Sequence, residues 1–197
     1  MNTIANIIKK IEQILFEAGI EEYKAESKLI SREISGLSNE EILLGKEIPL
    51  EKEEEILEAA QKRATSKAPI QHILGYQHFM GEKYIVNKNV LIPRDETEFL
   101  VNAGFELLKN KSKKEKIHIL EIGTGSGCVS CALAKKMKDY DIEILATDVS
   151  MEAIEVALEN TSKLDLIRKI VFRKSDVYSK IRDCEKFDLI ISNPPYI

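Results

Sequence analysis

Apolar residues recur at helical spacing through the first third of the chain. Ile4, Ile7, Ile8, Ile11, Ile14, Leu15 and Ala18 form one stripe, and Gly19 is placed to stop it. Ala25, Leu29, Ile30, Ile34 and Leu37 repeat the period around a second stop at Gly36. Ser38 followed by Glu41 is a capping box, which predicts a short third helix. Ile56, Leu57, Ala60 and Ala64 predict a fourth, ended at Ala68-Pro69 because a residue before proline is pushed toward extended backbone. Residues 1–74 therefore read as a small helical bundle, and no catalytic constellation falls within it.

The period changes after Gly75. Phe79, Met80, Tyr84, Ile85 and Val86 flank Gly81, which predicts a β-hairpin serving as a connector over residues 75–94. Leu91-Ile92-Pro93 runs extended toward Asp95, which is placed to cap a helix carrying Phe99, Leu100, Ala103, Leu107 and Leu108. Strands and helices then alternate. Residues 117–122, 142–146, 170–172 and 187–191 predict four strands. Val129, Ala132, Leu133 and Met137 mark one intervening helix, and Ile154, Ala157 and Leu158 another, with Ser150 as its cap. Apolar strands alternating with helices predict an α/β fold, a Rossmann-like, doubly wound parallel sheet over residues 95–197.

Composition narrows the class. Of 197 residues, 44% are apolar and 31% charged, which excludes a disordered chain. No apolar run reaches the roughly 18–20 residues that span a bilayer. Three cysteines make no disulfide framework and suit a reducing compartment, so the cytoplasm is the expected location. The net charge of −4 gives no global basic field for nucleic acid. Residues 1–70 carry ten Lys or Arg against fourteen Glu, so the whole imbalance sits in the helical part.

The unusual residues stand at the predicted strand ends, where open α/β sheets bind ligands. The first strand runs into Gly123-Thr124-Gly125-Ser126-Gly127, spaced G-x-G-x-G, with Cys128 where a dinucleotide fingerprint has its third glycine. No Walker lysine follows. Asp148 lies 21 residues after Gly127, about where an acidic side chain meets ribose hydroxyls. Together these point to a nucleoside cofactor without an obligatory pyrophosphate, such as S-adenosylmethionine. The third strand leads to Asp176 and the fourth to Asn193-Pro194-Pro195-Tyr196. Two prolines stiffen that turn and present the Asn193 side-chain oxygen and the Pro194 carbonyl as an acceptor pair. Such a pair holds both hydrogens of a planar NH₂ group and aims its lone pair at an electrophilic methyl, with no strong base. Tyr196 is placed to cover the substrate's flat face.

Other candidate chemistry reads as structure. Cys128-Val129-Ser130-Cys131 falls in the first turn after the glycine loop, where small residues pack helix on sheet, and Cys184 stands alone. His72, His78 and His118 have no metal-ligand spacing, so no metal site is expected. The lysines of residues 109–116 read as a solvated loop.

The chain resembles the HemK/PrmC family, methyltransferases that modify the glutamine of a Gly-Gly-Gln motif in class I peptide-chain release factors. The resemblance rests on Pro69-Ile70-Gln71-His72, Gly75-Tyr76, Phe79, Leu91-Ile92-Pro93-Arg94 and Glu96-Thr97-Glu98. Residues 121–127 and 193–196 complete it. It implies a class I methyltransferase sheet in which Gly123, Thr124, Gly125, Ser126 and Gly127 line the methionine part of S-adenosylmethionine. Asp148 would take the ribose hydroxyls, Asp176 and Val177 would flank the adenine, and Asn193 would stand beside the cofactor. Asn193 and Pro194 would grip the glutamine amide, with Pro195 and Tyr196 completing the substrate site. Residues 1–74 would help to dock the release factor, with neither a membrane nor direct nucleic-acid contact expected.

Two departures stand out. Asp95 replaces a proline usual in the family. The chain also ends at Ile197, directly after the substrate motif, which leads to the expectation of a fragment whose fourth strand is an exposed apolar edge open to self-association. Rival readings from the same residues are a nucleic-acid amino-group methyltransferase acting on adenine or cytosine, and an inactive binding module.

Overall fold

The computed structural model describes residues 2–113 and 115–194. Contacts divide the chain into two compact units, Met1–Gly75 and Tyr76–Ile197.

The first unit is helical. It contains β1 (Asn2–Thr3), α1 (Ile4–Glu17), α2 (Tyr23–Ser35), α3 (Asn39–Leu43), β2 (Glu47–Ile48), α4 (Leu50–Ser66) and α5 (Ile70–Leu74). The stripe on α1 is buried at Ile4, Ile7, Ile8, Ile11 and Leu15, against Ile30 of α2 and Ile56 and Ala60 of α4. Each fully buried Ile contributes about 1.5–3 kcal/mol relative to exposure. Gly36 ends α2 in the left-handed region, φ 72°, and its N–H returns to the Arg32 carbonyl. The capping box at Ser38 and Glu41 is present in both directions. Arg63 clamps Glu26 through two bonds of 2.7 and 2.9 Å, joining α4 to α2. The antiparallel pair β1–β2 and the five-residue α5 were not legible as periods; both are too short to show one.

The second unit begins with the hairpin β3 (Tyr76–Phe79) and β4 (Glu82–Ile85), then α6 (Glu96–Leu108). There follow β5 (Ile117–Ile122), α7 (Cys128–Lys136), β6 (Ile142–Asp148), α8 (Met151–Lys163), β7 (Ile170–Lys174) and β8 (Leu189–Ser192). The hairpin expected as a connector is packed into this unit. Phe79 and Tyr84 stack edge to face at 6.1 Å within the core that holds Ile119, Leu133 and Ile144. Asp95 is also corrected: its backbone is already helical and its side chain caps nothing. Ser150 does cap α8, accepting from the Ala153 N–H at 3.1 Å.

Four parallel strands stand in the order β7-β6-β5-β8. The chain moves outward from β5 to β7 and then returns to the other side of β5, so strand order reverses between β5 and β8. Ligands bind such sheets outside the carboxyl ends of the strands at this reversal. Ile117 and Ile119 of β5, Ile142 and Ile144 of β6 and Ile191 of β8 join the core with α6 and α7. Val171 and Ile190 point to the opposite face and are half exposed. Within the expected apolar edge strand, then, only Ile190 is open and Ile191 is buried. Among the described residues no helix is long and apolar enough to cross a membrane.

Candidate active site

A cleft of about 560 Å³ opens at the carboxyl ends of the strands. Its size is ordinary for a small-molecule site. Gly123 and Gly125 line it from the β5 loop, Asp148 from β6, Asp176 and Val177 from the turn after β7, and Asn193 and Pro194 from the end of β8. Seven of the residues singled out in sequence thus meet in one cavity.

The loop is held by the strand beside it. The Gly123 and Thr124 N–H groups both donate to the Thr147 carbonyl at 2.9 Å. Gly123 and Gly125 have φ of 73° and 53°, and no atom lies within 4 Å of where a Cβ would sit on either. Bare backbone therefore faces the cleft, which lets a ligand approach closely. Gly127 serves differently. A Cβ there would lie 3.0 Å from the Ala157 Cβ, so its role is the close packing of α7 on α8. Thr124 and Ser126 turn inward and are buried, bordering a smaller cavity of about 40 Å³ with Thr97, Glu121 and Asn193.

Glu121 underlies this loop, only 2% exposed. Its Oε2 accepts from Thr124 Oγ1 at 2.7 Å and from Ser130 Oγ. Burial pushes its carboxyl up to about 7, against the lowering effect of the two hydroxyls. Asp148 is tied at both oxygens: Gly125 N–H donates to Oδ2 at 2.9 Å and Ser150 N–H to Oδ1 at 3.0 Å. Each oxygen keeps a second acceptor site, so the carboxylate is oriented and still able to receive a ligand hydroxyl. The Asp176-Val177 bend is pinned by Ser175, whose Oγ donates to the Val177 carbonyl at 2.9 Å and accepts from the Lys180 N–H. Val177 has a φ of 45°, a conformation uncommon for a branched residue, and it is half exposed at the cleft.

Asn193 is placed by the strand register and two side-chain hydrogen bonds. The β5–β8 register pairs Ile122 with Ser192, and Ser192 Oγ donates to the Ile122 carbonyl at 2.8 Å. The Asn193 side chain then donates from Nδ2 to Thr97 Oγ1 at 3.0 Å. Its Oδ1 is left as an acceptor beside the exposed Pro194. Pro195 and Tyr196 lie outside the described residues.

Three residues in this arrangement were not singled out as site residues: Thr97, Glu121 and Asn160. Asn160 Nδ2 donates to the Ser126 carbonyl, tying α8 to the glycine loop. A polar residue standing among apolar helix positions was the available signal for Asn160, and the Glu-Thr-Glu segment was the signal for Thr97. The cysteines of the C-x-x-C pair are buried and free, and burial pushes both thiols up to about 12, which leaves them unreactive. In the lysine-rich loop, Lys109, Lys111 and Lys116 pair with Glu106, Asp188 and Glu143, and Lys113 lies over the Tyr140 ring.

Residues 6–75 match the family model "PrmC N-terminal domain" and residues 98–197 match "Methyltransferase small domain". A release factor glutamine methyltransferase of Bacteroides thetaiotaomicron is 38% identical over the whole of this chain, which covers 68% of that relative. The chain belongs to the HemK/PrmC family.

A second member, the release factor glutamine methyltransferase of Streptococcus pneumoniae, is 36% identical over 98% of this chain. The match spans 66% of that relative's length, and shares of 44% and 52% are found in the relatives from Koribacter versatilis and Bacillus cereus. Among solved structures, the N-terminal domain of human METTL16 superposes with a TM-score of 0.51 at 17% identity, covering 87% of this chain and 64% of that one. That likeness is one of fold. The second unit is thus a class I methyltransferase domain, a kind that uses S-adenosylmethionine, and the bare glycine backbone, the oriented Asp148 carboxylate and the cleft volume fit that molecule.

Proposed function

We propose that this protein transfers a methyl group from S-adenosylmethionine to the side-chain amide nitrogen of the glutamine in the Gly-Gly-Gln motif of class I peptide-chain release factors. The single observation that carries the reading is the state of Asn193 at the strand reversal. Its Nδ2 is committed to Thr97, which leaves its oxygen as an acceptor at the cleft that Gly123, Gly125 and Asp148 line.

The cofactor supplies the electrophilic methyl carbon. The chain's own residues bind and orient. Gly123 and Gly125 offer bare backbone to the methionine part, Asp148 takes ribose hydroxyls, and Asp176 and Val177 flank the adenine. Asn193 Oδ1 and the Pro194 carbonyl each accept one N–H of the incoming carboxamide. Held at both hydrogens, the nitrogen has its lone pair turned away from the carbonyl and toward the methyl donor. It would form a bond to the methyl carbon as that carbon's bond to the sulfonium sulfur breaks, leaving a neutral thioether, and would give up one proton to solvent. Positioning and fixed dipoles carry the step, and no group with a strong base's pKa is required.

The helical unit is the proposed docking element for the release factor. A groove of about 730 Å³ lies in it between α1, α2 and α3, with Ile8, Leu29 and Ile42 on its walls and Lys9 and Lys28 at its rim. A nucleic-acid substrate is the weaker reading, because Lys109, Lys111 and Lys116 are paired with carboxylates and Lys113 lies over the Tyr140 ring, which offsets the positive charge this segment would offer to phosphates.

The test is mass spectrometry of a Gly-Gly-Gln release factor incubated with S-adenosylmethionine and the protein. One added methyl on that glutamine, lost with Asn193→Ala, is the expected result. Methylation of RNA or DNA in place of the release factor, or transfer undiminished in Asn193→Ala, would sink the assignment.

A further inference from the structure

Asn193 and Thr97 are 96 positions apart, and one hydrogen bond of 3.0 Å joins them. The two ends of that bond are fixed independently. Thr97 stands in the first turn of α6, 7% exposed, with its N–H on the Arg94 carbonyl at 2.9 Å. Its branched Cβ restricts the direction of the hydroxyl. The Asn193 backbone is held by the β5–β8 register and by the Ser192 bond to Ile122.

What those restraints leave undecided is the sense of the Asn193 amide. Its two ends have nearly the same shape and opposite hydrogen-bonding character: the oxygen accepts and the nitrogen donates. A carboxamide N–H arriving at the cleft is drawn to the oxygen and repelled by the nitrogen. Without a partner on its inner end the side chain is free to turn, which would withdraw that oxygen from the cleft or present the nitrogen in its place.

We propose that Thr97 is a positioning residue for Asn193: its hydroxyl holds one end of the side-chain amide inward, so that the other end, here the oxygen, stays at the cleft for the substrate N–H. This deepens the proposed function and rests on its claim that Asn193 receives the substrate amide. Thr97 touches neither substrate nor reacting carbon in this role; it acts through Asn193. The Glu-Thr-Glu segment and the Asn-Pro-Pro-Tyr segment thereby become two halves of one acceptor.

Thr97→Val keeps the shape and removes the hydroxyl, whereas Thr97→Ser keeps the hydroxyl. In the full 197-residue chain, Thr97→Val is expected to lower kcat for release-factor methylation about tenfold, the worth of one hydrogen bond. KM and the calorimetric Kd for S-adenosylmethionine should stay within about twofold, and Thr97→Ser should recover most of kcat. The second readout is the ¹⁵N–¹H spectrum of the Asn193 side-chain amide. The two protons should move in Thr97→Val and keep their wild-type positions in Thr97→Ser. Unmoved Asn193 amide signals in Thr97→Val would overturn the proposal. A raised cofactor Kd at unchanged kcat would do the same, since Thr97 would then be a cofactor contact. If the wild-type chain transfers no methyl at all, that result counts against the proposed activity, and the amide spectrum still decides for or against Thr97.

Discussion

Asn160 Nδ2 donates to the Ser126 carbonyl at 2.8 Å while the same amide exchanges two bonds with Ile85, at 2.7 and 3.0 Å. One α8 side chain therefore replaces a strand partner for the hairpin and holds the glycine loop at once. Asn160 is 1% exposed and its bond to Ser126 is buried, whereas Ile85 is only partly buried. Asn160→Ala would remove the bonds to the Ile85 N–H, the Ile85 carbonyl and the Ser126 carbonyl, at a cost of about 3 kcal/mol. Urea denaturation should read that loss. Calorimetry should show weaker S-adenosylmethionine binding, since the loop loses its anchor.

Glu121 makes stability depend on pH in an identifiable direction. Its folded carboxyl is raised from 4.5 to about 7 by burial. Between those values the folded state binds a proton that the unfolded state has released, so stability falls as pH rises through that window. The full difference is about 3 kcal/mol as an order of magnitude. Glu121→Gln keeps an acceptor for Thr124 and Ser130 and has no charge to bury. Its advantage over the wild type should be near zero at pH 4.5 and largest above pH 7. Denaturation curves of both proteins at pH 5 and pH 8 check this, and a constant difference would refute the buried carboxyl as its source.

Two glycines of one loop should respond differently to the same substitution. Gly127→Ala places a Cβ 3.0 Å from the Ala157 Cβ and 3.3 Å from its Cα, at a φ of 77°. Backbone must move, so a loss of about 2–4 kcal/mol is expected, above the 1–2 kcal/mol of left-handed strain alone. Gly123→Ala meets open space and should cost only that strain. Its methyl would instead project into the cleft proposed for the cofactor. Thermal melts should rank Gly127→Ala as the less stable, and cofactor titration of the folded proteins should rank Gly123→Ala as the weaker binder.

The contrast marks what the sequence could disclose. The helical period located α1, α2, α4 and α8, each of which buries one face, and apolar runs located the parallel strands. By contrast, α7 is buried throughout residues 128–134, and α6 buries Val101, Gly104 and Leu108 while Phe99 and Leu107 of its expected stripe are exposed. The glycine spacing, Asp148 and the diproline turn were legible because each is local chemistry at a strand end. The hairpin's membership of the second unit was not, because it depends on Asn160 meeting Ile85 across 75 positions. Thr97 was visible as part of a motif, but its partner lies 96 residues away and no spacing rule links them. Asp95 misled because an acidic residue before a helix usually caps it, and here the preceding segment carries helical backbone one residue earlier. Local patterns gave the elements and the candidate atoms; the long-range hydrogen bonds that orient those atoms appear only in the fold.

Asp148 permits a test that separates ligand recognition from loop support. Its two oxygens each accept one backbone N–H, from Gly125 and Ser150, and each retains an acceptor site for a ligand hydroxyl. Asp148→Asn keeps one oxygen, so one of the two N–H groups loses its acceptor and the charge is gone. Hydrogen bonds to charged groups contribute about 1.5–3 kcal/mol, so S-adenosylmethionine affinity should fall about 10- to 100-fold. An analogue lacking both ribose hydroxyls makes the origin of that loss measurable. If Asp148 reads the ribose, the analogue binds wild type and Asp148→Asn with nearly equal, weak affinity. If Asp148 serves only to hold Gly125, the substitution weakens the analogue by the same factor as the natural cofactor. Calorimetric titration of both ligands against both proteins closes this cycle, and equal factors would remove Asp148 from the ligand site.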